Sequence, residues 1–142
     1  MIQRSTEAAA EPKTILVVDD EIEIRFVIAD YLREAGFKVI AAGSADEALE
    51  YLTSPNEVGL VFSDVNMPGT LDGIALAHKL RANYPKLRVL LTSGHFSQRS
   101  VDVDLMLIPK PYVLAEVRTT IHEMLGMLAA AVSFDESPSG GE

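Results

Sequence analysis

Apolar and polar positions along this chain fall into two alternating kinds of block. The first kind is a short unbroken apolar run. Such runs lie at 14–18 (TILVV), 37–41, around Leu60, Val61 and Phe62, at 87–91 and at 105–108. Each is too short for a helix and lacks polar alternation, which predicts strands buried on both faces. The second kind repeats at helical spacing. Ile24, Val27, Ile28, Tyr31, Leu32 and Ala35 form one such face, with Gly36 where a left-handed cap would stop it. Ser44 followed three residues later by Glu47 has the form of a capping box opening a second helix with Ala48, Leu49 and Leu52. Ile74, Ala77, Leu80 and Tyr84 mark a third, ended before Pro85. Leu114, Val117, Ile121, Met124, Leu125 and Leu128 mark a last one. Between the fourth and fifth strands, 95–104 (HFSQRSVDVD) shows no helical face, so a helix there is expected to be short or irregular.

Strands alternating with helices predict an α/β fold: a five-stranded parallel sheet with helices on both faces, in flavodoxin-like order. The stretches 1–12 and 130–142 carry no period that would bury a face and are expected to be flexible tails around one domain at 13–129. With 142 residues and 48% hydrophobic content, a single packed core is affordable. The chain has no cysteine, which excludes disulfides and thiolate chemistry. A net charge of −9 opposes direct binding to nucleic acid or to an anionic membrane, and it suits a divalent cation. No apolar run approaches a membrane span and no signal-peptide core opens the chain, so the expected location is the cytoplasm.

The chemistry gathers where the strands give out. In an open α/β sheet, ligands bind beyond the carboxyl ends of the strands. Four strands here end in polar residues: Asp19-Asp20, Asp64 (in VFSDVNMPG), Ser93 and Lys110. Each has a plain structural role available: a helix cap, a turn residue, a loop serine, a solvated lysine. Their joint placement outweighs those roles. With strands one and three adjacent, three carboxylates share a cleft, and a hard cation with oxygen ligands relieves their repulsion. Magnesium fits that donor set. Asp64 can act as a nucleophile forming an acyl phosphate, Lys110 can offset phosphoryl charge and Ser93 can hydrogen-bond a phosphoryl oxygen. His78, His95 and His122 show no ligand spacing, with His95 a candidate rim contact. Met67 is open to two readings, access to Asp64 or turn packing, and Tyr112 reads as an anchor for the last helix.

ILVVDDE, VFSDVNMPG, LLTSG and IPKPY, in this order, resemble the receiver (CheY-like) domain of bacterial two-component response regulators over residues 13–128. The resemblance implies phosphoryl transfer from a histidine kinase or histidine phosphotransfer protein onto Asp64. It also implies Mg2+ held by Asp20 directly, by Asp19 mostly through water, by Asp64 and by the backbone carbonyl of Asn66. Lys110 takes the place of the family lysine, followed by a cis bond to Pro111. Ser93, followed by Gly94, matches the family hydroxyl, with Thr92 as the second register. Two features depart from the pattern. Leu107 stands where an aromatic switch residue is common, and the span from Ser93 to Lys110 is short for a complete fourth helix.

The expected function is that of a stand-alone receiver signalling to a downstream protein of unknown identity, without enzymatic turnover beyond its own phosphorylation and dephosphorylation. A phosphorylation-independent adaptor is the alternative. A small aspartate-nucleophile phosphatase is a further one. It would want an acid two residues after the nucleophile, where this chain has Asn66.

Overall fold

Each of the five apolar runs becomes a strand in the computed structural model of the chain, which describes residues 14–54, 57–69, 71–94 and 105–133. The strands are β1 (Thr14–Val18), β2 (Lys38–Ala42), β3 (Val58–Asp64), β4 (Arg88–Ser93) and β5 (Met106–Pro109). They pair in parallel in the order β2-β1-β3-β4-β5. The order reverses between β1 and β3, which is the expected flavodoxin-like switch point.

Side-chain alternation along the strands divides the core into two layers. Ile15, Val17, Leu60, Phe62, Leu90 and Ile108 face one way. There they meet α1 (Ile22–Glu34) through Ile28, Ala29 and Leu32, and α4 (Leu114–Ser133) through Val117, Ile121 and Met124. Leu16, Val18, Val61 and Leu91 face the other way, against α2 (Ala45–Leu52) and α3 (Gly73–Asn83) through Ala48, Leu52, Leu76, Ala77 and Leu80. Both faces of β1, β3 and β4 are therefore buried, which is why they read as unbroken apolar runs, while the edge strands β2 and β5 keep exposed positions such as Ala41 and Met106. Each fully buried Leu, Ile or Phe contributes about 1.5–3 kcal/mol.

The helix ends follow their local chemistry. Gly36 has a φ of 106° and its N–H donates to Arg33, while Phe37 donates to Leu32. That pair of bonds ends α1 as a left-handed cap. The Ser44 hydroxyl accepts from the Glu47 N–H at 3.0 Å, and the Glu47 carboxylate accepts from the Gly43 N–H at 2.7 Å. The second bond of the capping box therefore reaches one residue further back than the usual motif. Asp72 caps α3 by accepting from the Ala75 N–H at 2.9 Å.

β2, β4 and β5 each extend one or two residues beyond the apolar run that announces them. Ladder hydrogen bonds continue through Ser93 and Pro109, which carry no hydrophobic signal. α4 runs on to Ser133, past the domain boundary expected at 129. The expected tail at 1–12, the part of the expected 130–142 tail beyond Ser133, the stretch 95–104 where a short or irregular helix is expected, and His95 lie outside the described residues.

Candidate functional site

The strand ends converge as the topology requires. Asp64 is the last residue of β3, level with Thr92 on β4, and the next N–H, of Val65, still donates to the Thr92 carbonyl at 2.9 Å. Asp19 lies one residue past β1, its N–H donating to Ala42 of β2 at 3.1 Å. Ladder bonds thus fix both backbones before any side chain takes part. Asp19 and Asp64 are buried, Asp20 is exposed, and one carboxylate oxygen from each of the three lies within 4.8 Å of the others. Asp19 and Asp20 do not cap α1: its N-cap is Glu21, with no side-chain bond.

Lys110 follows the end of β5, its N–H held by the Ser93 carbonyl at 2.9 Å. Its Nζ lies 3.0 Å from Asp64 Oδ2, and the Lys110–Pro111 bond is cis. Asp64 Oδ1 accepts from the Asn66 N–H at 3.1 Å. The Asn66 amide reaches the Ser93 hydroxyl at a long 3.5 Å, placing that hydroxyl on the rim of the same cleft. Thr92 is also buried, but its Oγ1 has no hydrogen-bond partner. Of the two hydroxyl registers, Ser93 is the one joined to the residues around Asp64.

Burial pushes the Asp19 carboxyl up. The Asp64 and Asp20 charges add to that, while the Glu21 N–H and Lys110 oppose it. Tyr112 is pushed up to about 12, first by burial and then by the charges of Asp19 and Asp64. One lysine thus faces three carboxylates. The donors are all oxygens and one of them is open to solvent, which fits a hard divalent cation such as Mg2+. The Asn66 carbonyl is the fourth oxygen of the expected set.

The remaining expectations sort by packing. Met67 is buried against the α2 and α3 side of the sheet, so its place is in the turn's packing. Tyr112 sets its ring edge against Phe62, 6.0 Å between centroids, and precedes α4 as its anchor. Leu107 is a partly buried aliphatic side chain in the same layer as Met67. His122 packs on Phe37, at the far end of the sheet. Sequence reasoning missed Gly73. A Cβ there would collide with the Asp64 carbonyl, so only glycine lets α3 start directly against the end of β3. The Asp72-Gly73 pair reads as a turn, and nothing local announces the close approach.

A family model described as "Response regulator receiver domain" matches residues 15–122. The chain is similar to the sensor kinase CckA of Brucella abortus, 33% identical over 130 residues, covering 87% of this chain but 14% of the kinase's length. Its fold is similar to a response regulator receiver protein from Sinorhizobium medicae, at 29% identity and a TM-score of 0.75, covering 82% of this chain and 96% of that one. It is also similar to the response regulator protein TrrA from Thermotoga maritima in complex with Mg2+ and BeF, at 29% identity and a TM-score of 0.69, covering 78% and 97%. With the family model running from Ile15 in β1 through β5 and taking in the acidic cluster, the chain belongs to the response regulator receiver domain family.

Proposed function

We propose that this chain is a phosphoacceptor signalling module in which Asp64 takes a phosphoryl group from the phosphohistidine of a kinase or phosphotransfer protein. The observation that carries the reading is the 3.0 Å contact of Lys110 with Asp64 inside a cluster of three carboxylates. An Asp64 oxygen attacks phosphorus, the P–N bond breaks, and its electron pair goes to the imidazole nitrogen, which takes up a proton. The product is an acyl phosphate on Asp64. Lys110 is placed to offset charge on the phosphoryl oxygens, and the Ser93 hydroxyl to donate to one of them. Asp19, Asp20, Asp64 and the Asn66 carbonyl would hold magnesium, which when bound supplies further charge neutralisation to the phosphoryl group. The Mg2+ and BeF in the TrrA complex support that assignment.

The module changes its affinity for a downstream protein. It works in the cytoplasm and turns over no free substrate. The same chemistry would operate with the domain joined to a kinase. Among the described residues no helix is long and apolar enough to cross a membrane.

Intact mass after incubation with acetyl phosphate and Mg2+, beside an Asp64→Asn control, tests the reading. One added phosphoryl group that needs both Mg2+ and Asp64 is the expected result. No adduct, with no Mg2+ binding, would overturn it in favour of the adaptor. Steady phosphate release at enzyme-like turnover would favour the phosphatase.

A further inference from the structure

The turn that carries Asp19 and Asp20 is tied down at every polar group of Asp19 but one. Its N–H donates to Ala42 of β2, and its Oδ1 accepts from the Glu21 N–H at 2.9 Å. Its carbonyl accepts from Arg25 Nη1 at 2.7 Å. Arg25 stands in the first turns of α1, where side chains lean back toward the helix N-terminus. Its guanidinium reaches over the turn to Gly43, the residue just past the end of β2. A Cβ built on Gly43 would lie 2.8 Å from the same Nη1. Gly43 is itself held, its N–H on the Glu47 carboxylate that closes the α2 cap. The missing side chain at Gly43 therefore leaves the space that the guanidinium occupies.

We propose that Arg25 is a positioning residue for the metal site. Seated in the gap over Gly43, it clamps the Asp19 carbonyl and so fixes the turn that presents Asp19 and Asp20. This rests on the magnesium reading above. The ion needs near-ideal octahedral geometry, so a turn that drifts by a fraction of an ångström loses affinity. Groups that orient metal ligands from behind typically contribute about 10- to 100-fold in affinity. The clamp acts through backbone: one nitrogen of the arginine fork donates to the carbonyl while the guanidinium fills the space beside Gly43, a fixed geometry that the point charge of a lysine does not reproduce.

Gly43 supplies an independent way to break the clamp. Its φ lies outside the left-handed region, so alanine strains nothing in the backbone there; the added methyl would meet the guanidinium at 2.8 Å, which must move, and the Glu47 carboxylate only at 3.4 Å. The experiment is calorimetric titration of the full chain with MgCl2 for wild type, Arg25→Met, Arg25→Lys, Gly43→Ala and the Arg25→Met/Gly43→Ala double variant. Melts in EDTA set a temperature at which each is folded. The expected result is about a tenfold weaker affinity for Arg25→Met, with part of the loss restored by lysine. Gly43→Ala should weaken binding in the same direction and add nothing once Arg25 is gone. Wild-type affinity in Arg25→Met overturns the clamp, and so does additivity of the two substitutions. If Arg25→Met does not fold, unchanged affinity in Gly43→Ala overturns it alone. Absence of Mg2+ binding by the wild type itself overturns the metal reading and the clamp together.

Discussion

Asp19 shows most directly how burial and like charge set the behaviour of the site. Its carboxyl is raised above the ordinary 3.8, chiefly by burial. The folded state therefore holds that proton more tightly than the unfolded chain does. The stability this proton contributes is full at low pH and is lost as pH rises from about 4 through the raised pKa. In the metal-free protein, Asp19→Asn should flatten that decline and melt above wild type at pH 7, while weakening Mg2+ binding. Calorimetric melts in EDTA between pH 4 and pH 8 check it, and parallel profiles for the two proteins would refute it. Thr92 and Ser93 separate on the same grounds. The buried, unpartnered Thr92 hydroxyl carries a desolvation cost of about 1–3 kcal/mol, so the isosteric Thr92→Val should raise stability in urea by about 1 kcal/mol and leave phosphorylation unchanged. On the role proposed for it, Ser93→Ala removes the donor to a charged phosphoryl oxygen, expected to slow phosphorylation by acetyl phosphate by about 10- to 100-fold. Equal rates for these two variants would return Thr92 to consideration.

Elements that announce themselves by period or cap chemistry were legible in the sequence. β1 occupies the apolar run TILVV, and Gly36 and Ser44 place their helix boundaries by backbone hydrogen bonds that residue type dictates. The site was legible to the same depth. Asp19, Asp64, Ser93 and Lys110 each follow or end a buried run, and the parallel topology leaves those ends nowhere to go but one edge. What escaped was contact through backbone. The strand ends continue to Ser93 and Pro109 by backbone pairing, with the Lys110 N–H donating to the Ser93 carbonyl, and side-chain character does not announce that pairing. Arg25 meets a carbonyl, and Gly73 meets the Asp64 carbonyl across a turn, so neither contact depends on the identity of the residue it touches. Gly73→Ala should accordingly cost about 1–3 kcal/mol by forcing α3 off the end of β3. It should also lower the rate of phosphorylation, since the displaced backbone is that of Asp64 itself. Urea melts beside acetyl phosphate kinetics test both parts. A stable variant with normal kinetics would show that the helix start can shift without disturbing the strand.

Across the whole molecule the acidic edge and the core are one mechanical unit. The carboxylates sit at the ends of β1 and β3, the adjacent strands at the middle of the sheet, and both layers pack on those strands. A chain of net charge −9 that gathers three carboxylates at that point stores repulsion in its most central element. A cation bound there should stabilise the entire fold rather than a loop. Ligand bound to the folded state alone contributes about 2.7 kcal/mol at 100 times its Kd. For a domain of this size that is about 10 °C in Tm. Thermal melts by circular dichroism should therefore move up by that order between EDTA and saturating MgCl2, as one cooperative transition. Asp20→Asn, an exposed residue with no part in the core, should abolish most of the shift without lowering the metal-free Tm. NaCl at equal ionic strength should reproduce only a small part, because screening acts weakly on buried charge. A shift that NaCl matches, or that survives Asp20→Asn, would mean that general screening of the −9 charge stabilises the molecule and that the cluster holds no ion of its own.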